Sequence, residues 1–276
     1  MNNVNITFIG CGNMGRSLIG GLVRNGYPAN LITGTDIDKH KLELAVEQFN
    51  IETSSVNAQA VKDTEVIVLA VKPQSTKETL LEIQHQLVKS KPLLVSIAAG
   101  IRLEDLTKWS GGEIAVVRVM PNTPALVNSG AAALCSNRFV SPAQHEFAEM
   151  IMRSVGITIW VQDEKLMNTV TALSGSGPAY FFYFMELIEK SAIDLGLSNE
   201  QARLLTLETA LGAAKMALES EHDLPALRQH VTSPGGTTEA ALRVLEKGQL
   251  EKLISRAMRA AYERSEELGQ MFGDKT

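Results

Sequence analysis

Three glycines close to the N-terminus form a pattern that could bind phosphate. Gly10, Gly12 and Gly15 follow the apolar run Ile6–Ile9 in the order Gly-x-Gly-x-x-Gly, and a helical pattern begins directly after them. In such a turn the first glycine permits a tight bend, the second lets the backbone approach a pyrophosphate, and the third lets the helix pack closely on the strand. The free N–H groups at the helix start add a positive dipole end. The predicted dinucleotide-binding residues here are Gly10, Cys11, Gly12, Asn13, Met14 and Gly15.

An acidic residue follows at the distance at which such sites hold the adenosine ribose. Asp36 ends the second predicted strand, twenty-one residues beyond Gly15. A carboxylate at this place accepts hydrogen bonds from ribose hydroxyls and repels a 2′-phosphate, so Asp36 favours NADH over NADPH. Two alternatives stay open. Asp36 could cap the next helix, although Asp38 could do so instead, and Lys39 could still reach a phosphate.

Two further stretches place hydroxyls and glycines at predicted helix starts in the second half of the chain. The first is Ser174-Gly-Ser-Gly-Pro-Ala-Tyr180 and the second is Ser233-Pro-Gly-Gly-Thr-Thr238. N–H groups that are free at a helix start bind anions, and a carboxylate suits such a site. Both stretches are therefore candidate sites for an anionic small molecule. The alternative is a pair of well-capped turns between helices.

Strand and helix patterns alternate through the first half of the chain, which predicts a parallel α/β sheet. Ligands bind outside the carboxyl ends of such strands, so five strand ends should meet in one crevice. The predicted strands are 6–9, 31–36, 66–71, 93–97, 114–118, 131–134 and 156–161, and residues 51–56 form either a short strand or an extended link. The five ends are Gly10, Asp36, and the segments 70–73, 96–100 and 120–123.

The pattern changes near residue 162, beyond which almost no strand signal remains. Helical patterns with small residues, which allow close helix packing, fill the rest of the chain. This predicts a Rossmann-type doubly wound domain over residues 1–162 and an all-helical domain over residues 163–276. The helices expected there are 164–173, 179–195, 198–220, 224–231, 237–247 and 249–271.

Composition narrows the kinds of partner. The net charge is −5 without a basic run, which argues against nucleic acid. No apolar stretch reaches membrane-spanning length. Cys11 and Cys135 lie in different predicted elements without metal-ligand spacing, so we expect no metal and a reducing, cytoplasmic compartment. Cys11 is better explained as a small packing residue than as an oxidisable thiol.

Six motifs follow one another along the chain: Gly10-Cys-Gly-Asn-Met-Gly15, Ala70-Val-Lys-Pro73, Ser96-Ile-Ala-Ala-Gly100, Met120-Pro-Asn-Thr-Pro124, Ser174-Gly-Ser-Gly-Pro-Ala-Tyr180 and Ser233-Pro-Gly-Gly-Thr-Thr238. The series resembles that of the pyrroline-5-carboxylate reductase family over essentially the whole chain, and the last motif is the most specific. The resemblance implies reduction of 1-pyrroline-5-carboxylate to L-proline by NADPH or NADH, the last step of proline biosynthesis. It also implies a homodimer built by the C-terminal helices, which in this family often assembles further into a decamer.

The resemblance also implies roles for individual residues. Thr238, and more loosely Ser233, would face the ring nitrogen as catalytic residues, and Glu164 could orient the substrate amine or cap a helix. The implied substrate-binding residues are Glu164, Ser174, Gly175, Ser176, Gly177, Gly236, Thr237 and Thr238. Beyond the glycine turn and Asp36, the implied cofactor-binding residues are Asn57 near the adenosine and Ala70, Val71, Lys72, Pro73, Ser96, Ala98, Pro121 and Asn122 around the nicotinamide.

The chain departs from the family pattern at two positions and leaves two rival classes to consider. Asn168 stands where the family usually has Asp, and Asp36 where many members carry a small hydroxyl residue that accepts the 2′-phosphate of NADP. A β-hydroxyacid dehydrogenase would carry a catalytic lysine on the helix after its Gly-rich loop, whereas the helix predicted from residue 179 holds no lysine before Lys190. A non-catalytic NAD(P)-binding regulator would have no reason to retain both hydroxyl-bearing stretches.

Overall fold

A single sheet of eight strands forms the centre of the first part of the chain. The computed structural model describes residues 4–273. The strands are β1 (Ile6–Ile9), β2 (Ile32–Thr35), β3 (Glu52–Ser54), β4 (Val66–Leu69), β5 (Leu93–Ser96), β6 (Val116–Met120), β7 (Gly130–Ser136) and β8 (Gly156–Trp160). They lie in the order β3-β2-β1-β4-β5-β6-β7-β8.

Helices connect these strands and make up nearly all of the second part. They are α1 (Asn13–Arg24), α2 (Lys39–Phe49), α3 (Asn57–Ala60), α4 (Pro73–Ser90), α5 (Leu103–Trp109), α6 (Pro142–Arg153), α7 (Leu166–Val170), α8 (Gly177–Asp194), α9 (Asn199–Glu219), α10 (Leu224–His230), α11 (Thr237–Lys247) and α12 (Leu250–Phe272). Short 3₁₀ turns cover Ala29–Leu31 and Thr123–Val127, and a π-helical turn covers Thr171–Gly175.

The predicted doubly wound sheet is confirmed, with one strand reversed. β1 to β6 are all parallel, and the chain winds outward from β1 first through β2 and β3 and then through β4, β5 and β6. β7 instead runs antiparallel to β6. Residues 121–129 join these two strands, and a parallel crossover needs a dozen residues or more, so the connection is too short for one.

The central strands β4 and β5 are almost entirely apolar in sequence because helices cover both faces of the sheet. Phe8, Val68 and Val95 belong to the cluster on one face, whereas Ile67 and Leu94 belong to the cluster on the other. All five side chains are fully buried. Burial on both faces is the usual environment of central parallel strands, and it keeps their carboxyl ends in fixed register.

β6 is shifted by two residues from the predicted 114–118. Gly111 and Gly112 both have positive φ values, +103° and +104°, and the N–H of Ile114 donates to the carbonyl of Gly112. These turns, which favour glycine, delay the start of the strand. Met120 therefore ends the strand instead of following it.

The contacts between residues divide the chain into two units. The first comprises the residues up to Ser176 together with those from Ala261 onward, and the second comprises Gly177–Ala260. Residues 163–176 thus pack with the sheet, although the sequence suggested a boundary at 162. The last turns of α12 also belong to the first unit, where Ser265 and Gly269 are buried.

The second unit buries few of its own residues. Across 177–260, all within the described part of the chain, only Gly177, Ala202 and Thr206 are buried. α8 and α9 pack against each other, yet large apolar side chains on them stay exposed, including Phe181 at 71% and Leu204 at 60%. An apolar surface of this extent marks an interaction face.

The helices of residues 4–273 include none with the length and apolar character that a membrane span requires.

Candidate active site

At the glycine turn, the ends of β1, β2 and β4 lie close together. Gly10 has φ +107°, its N–H donates to the Thr35 carbonyl (2.8 Å), and the N–H of Ala70 donates to the Ile9 carbonyl (2.8 Å). A Cβ added at Gly10 would meet the Ala70 carbonyl oxygen at 2.5 Å. Only glycine fits this position, because of both its φ and its neighbours.

The other two glycines of the turn have the environments that dinucleotide binding requires. A Cβ added at Gly15 would overlap the Gly10 carbonyl oxygen, so Gly15 allows α1 to approach β1 closely. Gly12 precedes α1 as its N-cap residue, and a Cβ added there would meet no atom within 4 Å. Open space at the N-terminus of a helix is where a pyrophosphate binds in this fold.

The strand ends expected to converge do lie at one edge of the sheet. β1, β2, β4, β5 and β6 are parallel neighbours, and backbone hydrogen bonds join their C-terminal ends, as in Ile97 N–H to the Leu69 carbonyl (3.1 Å). The segments after these strands therefore share one side of the molecule. They contain the predicted cofactor-binding residues Asp36, Ala70, Val71, Lys72, Pro73, Ser96, Ala98, Pro121 and Asn122.

Asp36 is held in place by two backbone N–H groups. Its Oδ2 accepts from Cys11 and its Oδ1 from Asp38, both at 2.9 Å, and Lys41 Nζ lies 3.5 Å from Oδ1. The side chain is only 9% exposed. It does not cap α2, because Asp38 accepts from His40 N–H and fills that role. A carboxylate has about four acceptor positions, so lone pairs remain for ribose hydroxyls.

The Cys11 side chain is a packing group. It is fully buried, and its Sγ is so close to Gly34 that a Cβ added there would lie 2.7 Å away. Burial, and after it the Asp36 charge, raises the pKa of the Cys11 thiol to about 12. A thiol with such a pKa is not nucleophilic near neutral pH. Burial likewise raises the pKa of Cys135, to about 11.

Asn57, the first residue of α3 after its N-cap Val56, does not cap that helix. Its side chain bridges two elements instead. Oδ1 accepts from Thr35 Oγ1 (2.7 Å) and Nδ2 donates to Glu82 Oε2 (2.9 Å). Thr35 is the last residue of β2, so Asn57 lies at the strand end that carries Asp36.

The predicted nicotinamide segments are held by a helix start and by hydrogen bonds from backbone N–H groups to side chains. Lys72 precedes α4 as its N-cap, with Pro73 as the first helical residue. Ser96 is buried, and its Oγ accepts from Ala98 N–H (3.4 Å). Asn122 Oδ1 accepts from Ala131 N–H (2.9 Å), which ties the segment after β6 to β7.

The stretch around Ser174 is a π-helical turn, where the sequence suggested a loop with free N–H groups. Ser176 N–H donates to the Thr171 carbonyl five residues back (2.8 Å), and Ser174 Oγ donates to the Val170 carbonyl (3.1 Å). The turn joins α7 to α8 almost without interruption. Single π turns inside helices occur frequently at functional sites.

This π turn brings a predicted substrate residue against a predicted cofactor segment. A Cβ added at Gly175 would overlap Cε of Met120, the last residue of β6. Gly175 therefore lies in direct contact with the edge of the sheet where the strand ends converge. Any side chain at position 175 would force Met120 to move.

Glu164 forms a partly buried ionic contact that the sequence did not reveal. Its Oε1 accepts from Arg118 Nη1 and from the Leu103 N–H, both at 2.7 Å. The Arg118 side chain, in the middle of β6, is only 7% exposed. Glu164 thus neutralises a buried guanidinium and satisfies the first N–H of α5. The only hint of this contact in the sequence is the charged residue Arg118 within an otherwise apolar strand.

Asn168, the position that departs from the family pattern, links α7 to the last turns of α12. Its Oδ1 accepts from Ser265 Oγ (2.8 Å), and Ser265 is 4% exposed. Both residues line a cleft of about 360 Å³ together with Arg118 and Glu164. The neutral Asn168 side chain is therefore sufficient to accept the hydrogen bond from Ser265, and no charge is needed at this position.

The second hydroxyl-bearing stretch lies in the second unit, at the start of α11. Gly236 N–H donates to the Ser233 carbonyl (3.0 Å), and Gly235, at φ +73°, donates its N–H to Glu239 Oε2 (2.8 Å). Thr237 and Thr238 are the first two residues of α11. The sequence did not single out Glu239, whose carboxylate already accepts the hydrogen bond from the Gly235 N–H. A bound anion would therefore have to accept from the N–H groups that follow Gly235.

The fold and the glycine turn define a Rossmann-class dinucleotide-binding protein with a helical second part. Residues 5–100 match the family model described as NADP oxidoreductase, coenzyme F420-dependent. Residues 164–268 match the model described as pyrroline-5-carboxylate reductase dimerisation. The second match indicates self-association, in agreement with the exposed apolar side chains of α8 and α9.

Relatives match over the whole length. The pyrroline-5-carboxylate reductase of Pseudomonas aeruginosa is 47% identical and covers 99% of this chain and 100% of its own. The structure of the Coxiella burnetii enzyme has a TM-score of 0.93 at 46% identity, covering 97% of this chain and 99% of that chain. The Plasmodium falciparum enzyme, solved with NADP bound, has a TM-score of 0.86 at 32% identity, covering 98% and 99%. The chain belongs to the pyrroline-5-carboxylate reductase family, as its motifs predicted.

Substitution by alanine should have different effects at the second and third glycines of the turn. Gly15→Ala should lower the free energy of unfolding by about 1–3 kcal/mol, because its Cβ overlaps the Gly10 carbonyl. Gly12→Ala should leave the stability of the ligand-free protein nearly unchanged, since its Cβ meets no atom, yet weaken dinucleotide binding about tenfold or more. Chemical denaturation and cofactor titration measure the two effects. Equal stability losses in both variants would contradict this account.

Glu164→Gln should lower the free energy of unfolding by about 2 kcal/mol, because it leaves the Arg118 guanidinium buried without its counter-charge. Asp163→Asn is the matched control: it removes the same charge one residue away at an exposed position. Chemical denaturation of both variants measures the difference. A loss in Asp163→Asn as large as that in Glu164→Gln would show that Arg118 does not depend on Glu164.

Proposed function

We propose that the protein reduces 1-pyrroline-5-carboxylate to L-proline with a nicotinamide dinucleotide. Family membership supports the reaction, and the observation that carries it here is the contact of Gly175 with Met120. The contact supports the proposal because Gly175 belongs to the proposed substrate motif and Met120 ends a strand at the edge where this fold binds cofactor. Bound NADH or NADPH would supply the hydride.

The chain's own residues would bind and orient a small ring with one carboxylate and one C=N bond. We assign the carboxylate to the residues Ser174, Gly175, Ser176 and Gly177, and the ring nitrogen to Thr238, supported by Ser233, Gly236 and Thr237. When the substrate enters as its iminium, hydride addition to carbon gives the amine directly. A hydroxyl then needs only to orient the nitrogen and exchange a proton.

We infer that NADH is used in preference to NADPH. Two backbone N–H groups hold Asp36, so it cannot turn away from an incoming 2′-phosphate without losing both hydrogen bonds. Lys41 offsets part of its charge, and Lys39 is exposed on the same turn. These cations are the groups that would hold a phosphate if the preference were reversed.

Initial rates with 1-pyrroline-5-carboxylate, measured with NADH and NADPH side by side, test both points. We expect turnover with either cofactor and a higher kcat/KM with NADH. A higher kcat/KM with NADPH would overturn the role of Asp36 and leave the reductase standing. No turnover with either cofactor, from protein shown to be folded, would overturn the reductase and favour a dinucleotide-binding regulator.

Thr238→Ala should lower kcat about 100-fold, the low end of an acid–base contribution, and Thr238→Ser should restore most of it. Ser176→Ala is the comparison: as a carboxylate anchor it should mainly raise the substrate KM. Steady-state kinetics separates the two, with circular dichroism as the check on folding. Unchanged turnover in a folded Thr238→Ala variant would remove Thr238 from the mechanism.

We propose further that the helical second unit forms a homodimer, which assembles into the decamer implied by the family. The apolar side chains left exposed on α8 and α9 support the dimer. We place the reaction in the cytoplasm, because both cysteines are free thiols, as expected in a reducing compartment.

A further inference from the structure

A residue outside all six motifs is hydrogen-bonded to Asn57, which we assign to the adenosine end of the candidate site. Thr35 Oγ1, Asn57 and Glu82 form a continuous chain of hydrogen bonds from the end of β2 to α4. Glu82 is exposed on α4, nine residues beyond Pro73. Neither the motif pattern nor the family resemblance singles it out.

The Glu82 carboxylate determines which way the Asn57 amide points. An ionised carboxylate only accepts hydrogen bonds, so Asn57 must present its NH₂ group to Glu82. Asn57 Oδ1 then faces Thr35, whose hydroxyl donates to it at 2.7 Å. A neutral amide at position 82 could either donate or accept, so the orientation of Asn57 would no longer be fixed.

The same carboxylate adds negative charge near the end of β2. Asp36, directly after Thr35, is paired with Lys41 at 3.5 Å, so part of its charge is already balanced. A 2′-phosphate carries more negative charge than a ribose hydroxyl. The Glu82 carboxylate is linked through Asn57 to Thr35, the residue before Asp36, so it is a second negative charge at this end and disfavours the phosphorylated cofactor.

We propose that Glu82 is a specificity-determining residue: its carboxylate orients the Asn57 amide and, together with Asp36, selects the dinucleotide that lacks a 2′-phosphate. The proposal rests on the proposed function only in taking the ligand to be a nicotinamide dinucleotide bound at this edge. It extends that function by naming a residue on α4 that acts on the adenosine half alone.

The test compares Glu82→Gln with Glu47→Gln, which removes the same charge from an exposed position on α2. Dissociation constants for NADH and NADPH are measured by fluorescence titration without substrate, at about 0.1 M and 0.5 M salt. In Glu82→Gln we expect the NADPH affinity relative to NADH to rise about threefold to fivefold at the lower salt. The gain should shrink at the higher salt, and Glu47→Gln should keep the wild-type ratio.

An unchanged ratio in Glu82→Gln, or an equal change in Glu47→Gln, would overturn the proposal. A change in ratio that salt does not reduce would overturn its electrostatic basis. Because the titrations use no 1-pyrroline-5-carboxylate, they remain informative if the reductase assay fails. Loss of the reaction and loss of the Glu82 effect are therefore separate results.

Discussion

The close approach of backbone at Gly10 is the constraint on which the candidate site depends. Gly10 lies between the Thr35 carbonyl at the end of β2 and the Ala70 carbonyl directly after β4, and its own carbonyl lies close to Gly15 of α1. Three strands and one helix therefore meet with no room for a Cβ at either glycine. This packing fixes the start of α1 relative to Asp36, the two places where we propose that the pyrophosphate and the ribose bind.

An ion pair between the buried Arg118 and the partly exposed Glu164 joins three elements close to the proposed substrate residues. Arg118 points from β6 to Glu164, just before α7, and Glu164 also accepts from the first N–H of α5. A buried charge is costly unless it is paired and hydrogen-bonded, so this contact joins the three elements firmly. The π turn that follows α7 is thereby held near β6, where Gly175 contacts Met120.

The sequence predicted those features that depend on local chemistry. The glycine turn and the alternation of strands and helices follow from residue types and spacing. The direction of β7 follows from the length of the connection between two strands, and the π turn from a hydrogen bond to a residue five positions back. Glu164 and Arg118 are 46 positions apart, and only the fold brings them together.

The stability of the helical second unit depends on contacts outside its own core. Ser233 and Thr238 lie in a unit where only Gly177, Ala202 and Thr206 are buried, so its helices cannot be held by a core of their own. A unit of this kind gains its stability from association, and its folding is then linked to protomer concentration. Placement of the Thr238 hydroxyl is thereby a property of the assembled protein. The role that we propose for Thr238 therefore depends on the same apolar helices that mediate self-association.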